Sequence, residues 1–577
     1  MLLLLLAGLA SCLGVPPRQE TFNLTIVHIN DIHAHFEQTN INTTRCRQED
    51  LQRQDCYGGI ARVYSKTRQI LETDPDALFL NAGDFYQGTV WYTKFKYKPM
   101  IEFGNMLNYT AMGLGNHDFD DSILGLAPFA EGTGFDLLAA NIENSLTDGS
   151  FEENIHYNKS TVKTIRGEQV GIIGYITQST SYNFPNGSLT FTDEVEAVQA
   201  EAKRLHKEGV KIIIALGHSG YEIDQELAAA VPELDLVVGG HSHTFLYTGP
   251  QPSTEQPRGE YPTFVENRVS GRMVPVVQAY CYTKYLGELR LQFNPDGELL
   301  LPVDGAGVQF ALPHLLNSSV PEDPDILEAM KPWQQNLTEY KETVGRNLIY
   351  LQERGPSEES NIGDVICDAL AAHYPDTEIA FTNNGGIRAD LPVGNVTYED
   401  ILTIQPFDNT VDLVTMTGAG LVAAIELAAA NIDPADPASY PGFGYQLAGL
   451  QLQLSVADGN AGSRVALLEV KGGDGVYRPV VPDQIYNVAL PSFLAGGGSR
   501  DNPVQRQIRG IFDSAILNRT TDGVMMYDAV KQFFIENSPI KQEVEGRFEI
   551  FTSSDSFALV PNFTLLLLTI FSSIALK

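Results

Sequence analysis

Five times in the first half of the chain, a short run of apolar side chains gives way to a tight turn carrying a residue able to bind a metal. Leu24-Thr25-Ile26-Val27-His28-Ile29-Asn30 leads into Asp31-Ile32-His33, and Ala77-Leu78-Phe79-Leu80 precedes Gly83-Asp84. A third run ends at Gly115-Asn116-His117-Asp118. The apolar residues from Val210 to Leu216 lead to Gly217-His218, and those from Leu234 to Val238 lead to Gly240-His241-Ser242-His243. Such runs are what strands buried on both faces look like, and α/β sheets bind ligands at the carboxyl ends of their strands. The pattern calls for an α/β domain whose strand ends converge on one place.

At 577 residues the chain exceeds what one hydrophobic core organises, so two large domains are expected. The first is expected over about residues 20–318, where apolar runs alternate with helical stretches such as Glu194 to Glu208. The break Pro321-Glu322-Asp323-Pro324 follows, and then residues 325–343 read as one amphipathic linker helix. Ile326, Met330, Trp333 and Leu337 recur there at helical spacing, with a kink expected at Pro332. Residues 344–550 form a second α/β unit, rich in turns such as Asn383-Asn384-Gly385-Gly386 and Gly496-Gly497-Gly498.

Both ends of the chain carry processing signals. Residues 1–14 are an apolar run closing on small residues, the layout of a secretory signal peptide. At the other end Thr552-Ser553-Ser554-Asp555-Ser556, a short spacer and the run from Leu565 to Phe571 form the layout of a glycolipid-anchor signal. Ser553 is the expected attachment residue, and 554–577 the tail to be removed. The expected location is therefore extracellular, at the cell surface through the anchor or secreted. Triplets such as Asn23-Leu24-Thr25, Asn42-Thr43-Thr44 and Asn395-Val396-Thr397 are glycosylation acceptors on that route. Cys46 and Cys56 bracket a polar loop and are expected to pair in an oxidising compartment, whereas Cys281 and Cys367 lie in apolar runs and are expected to be buried thiols.

The formal net charge of −34 argues against a nucleic-acid partner, which needs a basic surface. It also repels phosphate, so a phosphate site would need local positive charge from metals or arginine. The strand-end residues supply the means. Two divalent metals close together activate a water and clamp a phosphoryl group, and they require a bridging carboxylate with His, Asp and amide ligands. Asp31 and His33, two apart on an extended segment, would point the same way and bind one ion. Asp84 can bridge, Asn116 can bind the second ion through its amide oxygen, and His218, His241 and His243 complete both sets. His117 is left over as general acid or charge stabiliser, and Asp120, three residues on, can orient its imidazole. Any one of these residues alone is an ordinary turn or cap; together they supply complementary ligands.

These five blocks resemble the signature of the calcineurin-like metallophosphoesterases, whose fold is an α/β/β/α sandwich. Thr382-Asn383-Asn384-Gly385-Gly386-Ile387-Arg388, Gln405-Pro406-Phe407 and the run from Leu490 to Gly497 are similar to the nucleotide-binding domain of the 5′-nucleotidases. The resemblance spans essentially all of the mature chain. It implies that Asp31, His33, Asp84 and His243 hold one ion and Asp84, Asn116, His218 and His241 the other, with zinc usual, and that His117 and Asp120 act as a catalytic dyad. It implies that Phe407 and Phe493 sandwich a base while Arg388 and Asn383 contact phosphate and substrate. His243 and Asp118 stand where relatives more often have Asn or Gln and Glu. Two departures are larger. Ser499 replaces an Asp that reads ribose hydroxyls, and a second phosphate-binding Arg is replaced by Pro356. Arg354 and Asp501 are expected to substitute for them. The implied activity is removal of phosphate from nucleotides, AMP above all. An apyrase acting on ATP and ADP, or a weakly catalytic nucleotide-binding surface protein, are the alternatives. A homodimer is the expected assembly. With metals on one domain and nucleoside contacts on the other, turnover would need a swing about residues 325–343.

Overall fold

The computed structural model describes residues 21–144, 155–183, 189–301, 312–355, 357–437, 442–456, 462–496 and 515–551. Ser499, Asp501, Pro356, Ser553 and both terminal signals lie outside them.

Two six-stranded sheets pack face to face in the first half. One runs in space as His314–Leu315, Tyr285–Phe293, Phe22–Ile29, Leu78–Asn81, Ala111–Gly113 and Asp136–Leu138, the last four parallel. The other runs as Thr263–Glu266, Met273–Val277, Leu236–Val238, Ile212–His218, Glu168–Ile176 and Ser160–Ile165, parallel through its middle. Period-2 alternation explains why their strands are apolar throughout. Leu24, Ile26, Leu78 and Leu80 enter the core between the sheets with Ile214 and Val237, whereas Val27, Ile29 and Phe79 face the outer core with Ile60, Val63 and Phe103 of the flanking helices. The result is the expected α/β/β/α sandwich, and its parallel strands present their carboxyl ends along one edge.

The α-helix that leaves this half spans Pro324–Asn336, capped by the Asp323 carboxylate and carrying Pro332, and a 3-10 turn follows at Thr338–Lys341. Continuous helix to Thr343 does not form, because the Leu337 N–H reaches back to the Gln334 carbonyl and tightens the last turn. Leu337 is buried there beside the first half's outer core. The second half has a five-stranded sheet ordered Tyr445–Ala448, Ile379–Asn383, Ile485–Pro491, Thr410–Thr417 and Ile516–Met525, and a four-stranded sheet ending in Phe548–Phe551. The Cys46–Cys56 disulfide forms, with Cα atoms 5.7 Å apart, and Cys281 and Cys367 are free and buried. No helix among the described residues is long and apolar enough to cross a membrane.

Candidate metal centre and active site

The strand Phe22–Ile29 hands its chain to a turn that is not extended. Asp31, His33 and Ala34 sit at φ 50°, 48° and 54°, and Asp84, His241 and His243 are also left-handed. Non-glycine residues in this region are costly and cluster at functional sites. The reason the turn holds is a backbone ladder. The N–H groups of Asp31, His33 and Ala34 donate to the carbonyls of Gly83, Asp84 and Phe85. Asp31 and His33 converge by this curl rather than by the pleat of a strand.

Asp118 stitches in the next turn. Its carboxylate accepts N–H groups from Gly115 (2.8 Å), Phe85 (3.0 Å) and Tyr86 (3.1 Å), and burial, with the Asp84 charge, pushes its pKa up to about 7. Gly115 is required because a Cβ there would meet the Asp84 backbone nitrogen and carboxylate at 2.2 Å. The His117 N–H then donates to Asp84 Oδ1 at 2.9 Å.

The ligand side chains meet as two groups. Asp31, His33 and His243 form one and Asp84, His218 and His241 the other, with all donor atoms of each group within 4.8 Å of one another. Asp84 Oδ2 links them, 3.6 Å from His33 Nε2 and 2.8 Å from His218 Nε2. The Asn116 amide oxygen lies 2.9 Å from His241 Nδ1. His33 Nδ1 faces the Gln87 carbonyl at 2.9 Å and His218 Nδ1 the Ala82 carbonyl at 2.7 Å, which fixes the proton there and leaves each Nε2 lone pair aimed inward. His218 Nε2 is buried against two carboxylates, Asp84 Oδ2 at 2.8 Å and Asp31 Oδ1 at 3.7 Å, and His33 Nε2 stands 3.1 Å from His243 Nε2. Inward lone pairs on crowded imidazoles around two buried carboxylates are the donor set that divalent cations satisfy.

The charges at the centre are tightly coupled, and without ions the Asp84 and Asp31 carboxylates outweigh burial at His218 and push its pKa up to about 10. Burial works against ionised Asp31 and Asp84, yet the surrounding histidines hold both carboxyl groups below the usual range. Burial lowers His33 strongly and His241 to about 4, keeping both neutral as ligands. His117 stands apart. Its Nδ1 is 2.9 Å from Asp120 Oδ2, and although burial would lower its pKa, Asp120 and Asp84 outweigh that and the net shift is upward.

The second half reaches into this centre. The Arg388 guanidinium lies 5.6 Å from the Phe407 ring centre, and the Phe407 ring is 5.5 Å from that of His117. Asn383 ends the strand Ile379–Asn383 and opens the turn Asn384–Gly386 below Arg388. Phe493 is 42% exposed, as a ring awaiting a partner would be. Arg354 is exposed on the loop before position 356, and its neighbour Glu353 is the side chain in the field of Arg388. Burial pushes Glu353 up to about 7 while Arg388 pulls the other way.

Sequence reasoning overlooked Asn409 and Tyr282. Asn409 Oδ1 accepts the Phe493 N–H at 3.1 Å, and its own N–H donates to the Phe407 carbonyl, so it ties the two ring-bearing loops together. Tyr282 walls the centre, its ring 5.7 Å from His33 and 5.3 Å from His243. Neither carries a local sequence signal, because the Phe493 contact of Asn409 and the histidine contacts of Tyr282 lie far apart in the chain.

Comparison with known proteins agrees with this geometry. Residues 24–245 match the calcineurin-like phosphoesterase family model and residues 343–505 the 5′-nucleotidase C-terminal domain model. The chain is 36% identical over 582 residues to a 5′-nucleotidase of Mus musculus, covering 96% of each, and 35% identical over 570 residues to one of Homo sapiens, covering 94% of each. Among solved structures it is similar to a 5′-nucleotidase precursor from Thermus thermophilus, with TM-score 0.80 and 30% identity over 92% of this chain and 100% of that one.

Proposed function

The chain belongs to the 5′-nucleotidase family and is a metal-dependent phosphoric monoester hydrolase acting on nucleotides, and we propose that its physiological reaction converts AMP to adenosine and phosphate. The observation that carries the choice of a monophosphate is reach. Phe407, the base-stacking candidate, is one ring contact from His117, and Arg388 lies beside both. That spacing suits one phosphate between the base slot and the metal centre better than a triphosphate chain.

Asp31, His33, Asp84 and His243 would hold one ion and Asp84, Asn116, His218 and His241 the other. The mixed His and carboxylate set suits zinc. When bound, the ions supply charge neutralisation at the phosphoryl oxygens and an activated water. The remaining work falls to side chains. Arg388 balances charge on the phosphate. His117, kept protonated by Asp120, donates its Nε2 proton to the departing 5′ oxygen. Phe407 and Phe493 stack the base, Asn383 contacts the substrate, and Arg354 would approach the phosphate on domain closure. The domains of this reading are 20–318 and 344–550, moving about residues 325–343. The terminal signals support a secreted, glycosylated protein anchored through glycolipid at Ser553, and a homodimer is the proposed assembly.

Phosphate release from AMP, ADP and ATP tests the reading. AMP should be the best substrate, and a clear preference for ATP or ADP would replace it with an apyrase.

A further inference from the structure

Lys96 closes the helix Val90–Phe95 at φ 54°, a left-handed position usually given to Gly or Asn. Its ammonium lies 4.8 Å from the Tyr92 ring centre and donates to two carboxylates, Asp121 Oδ1 at 3.3 Å and Asp408 Oδ2 at 3.0 Å. Both acceptors are held from behind. The Tyr92 hydroxyl donates to Asp121 at 2.8 Å and the Tyr527 hydroxyl to Asp408 at 3.3 Å. The two carboxylates come from opposite halves of the chain. Asp121 follows Asp120, which holds His117, and Asp408 follows Phe407, whose ring rests against His117.

We propose that Lys96 is a positioning residue for the reaction, clasping Asp121 to Asp408 so that Phe407 and Arg388 are set against the metal centre and the His117–Asp120 pair. Arg45 and Arg47 also pair with Asp400 across the halves, but Lys96 makes its tie one residue away from each functional partner. Burial would lower the Lys96 pKa, but Asp408 and Asp121 outweigh it, so the clasp stays charged. Lys96, Asp121 and Asp408 are each partly exposed, so the clasp is strong enough to bias closure and weak enough to open every cycle.

The inference rests on the nucleotidase reading, and its test separates the two. K96M and D408N should each lower kcat/KM for AMP roughly fivefold, with metal content unchanged. The double variant should lose no more than K96M alone, because D408N removes a contact that K96M has already lost. K96R should restore most of the activity. Nitroxide labels on E72C and E536C, exposed sites on the two halves, should report a distance distribution that broadens in D408N, with or without turnover. Wild-type rates in both single variants, losses that multiply in the double, or an unchanged distance distribution would overturn the clasp. Absence of AMP hydrolysis in the wild type would instead count against the nucleotidase reading, leaving the distance measurement to judge Lys96.

Discussion

The ring of His117 lies 5.5 Å from that of Phe407, although the two residues belong to different halves of the chain. On the proposed roles of the two residues, this contact brings chemistry and nucleoside recognition together. Replacing Phe407 with Ala should raise KM for AMP about tenfold with a smaller effect on kcat, since stacking on one ring contributes about 1–3 kcal/mol. Steady-state kinetics of F407A beside F407Y check this, with F407Y close to wild type.

His117 is outside both ligand groups, so its removal should spare the metals. H117A should lower kcat by about a thousandfold, and D120N by about tenfold through loss of orientation. Metal analysis of the same samples should show wild-type content. Loss of metal from H117A would make it a ligand instead.

Asp84 touches both groups and makes the shorter link, 2.8 Å to His218 Nε2 against 3.7 Å for Asp31 Oδ1. D84N should lose most activity and weaken binding at both ion sites. In the wild type, zinc at a hundred times its dissociation constant should stabilise the fold by about 2.7 kcal/mol, seen as a higher melting temperature. In D84N that rise should shrink markedly.

Away from the centre, Asp235 is fully buried, its carboxylate paired with Arg272 at 2.7 Å and accepting the Ile213 N–H. Burial pushes its pKa up to about 7 against the pull of Arg272. The unfolded carboxyl titrates near 3.9, so this group's stabilising contribution is fullest below about pH 4 and is lost as pH rises through about 7. R272M removes the compensating charge, raising the folded pKa further. Its destabilisation, about 2 kcal/mol at pH 8 given the partial exposure of Arg272, should be smaller at pH 5.5, where Asp235 is neutral in both proteins. Urea melts at the two pH values check the difference.

What could be read from the chain follows from what is local. Leu24 to Asn30 and the runs at 77–80, 210–216 and 234–238 declare buried parallel strands, and parallel strands must end along one edge, so Asp31, Asp84, His218 and His241 had to meet. The Cys46–Cys56 pairing was legible for the same reason, being closed within one short loop. The curl that joins Asp31 to His33 was not, because left-handed residues other than Gly leave no mark in the sequence and are held by the partner loop at 83–85. Contacts across the seam were likewise hidden. Lys96 and Asp408 are far apart in the chain, and nothing near either residue announces the other. The linker helix stopped at Asn336 because burial of Leu337 and a tightened turn outweighed helical periodicity.

On the proposed function, two ions held by these side chains drive hydrolysis of a nucleoside monophosphate. Its most direct test is to strip the purified protein of metal and titrate zinc back while measuring adenosine and phosphate released from AMP. The stripped protein should release negligible product, and reconstitution should yield equal amounts of both products, with activity saturating at two ions per chain. Hydrolysis undiminished after stripping, or none at full zinc loading, would contradict it.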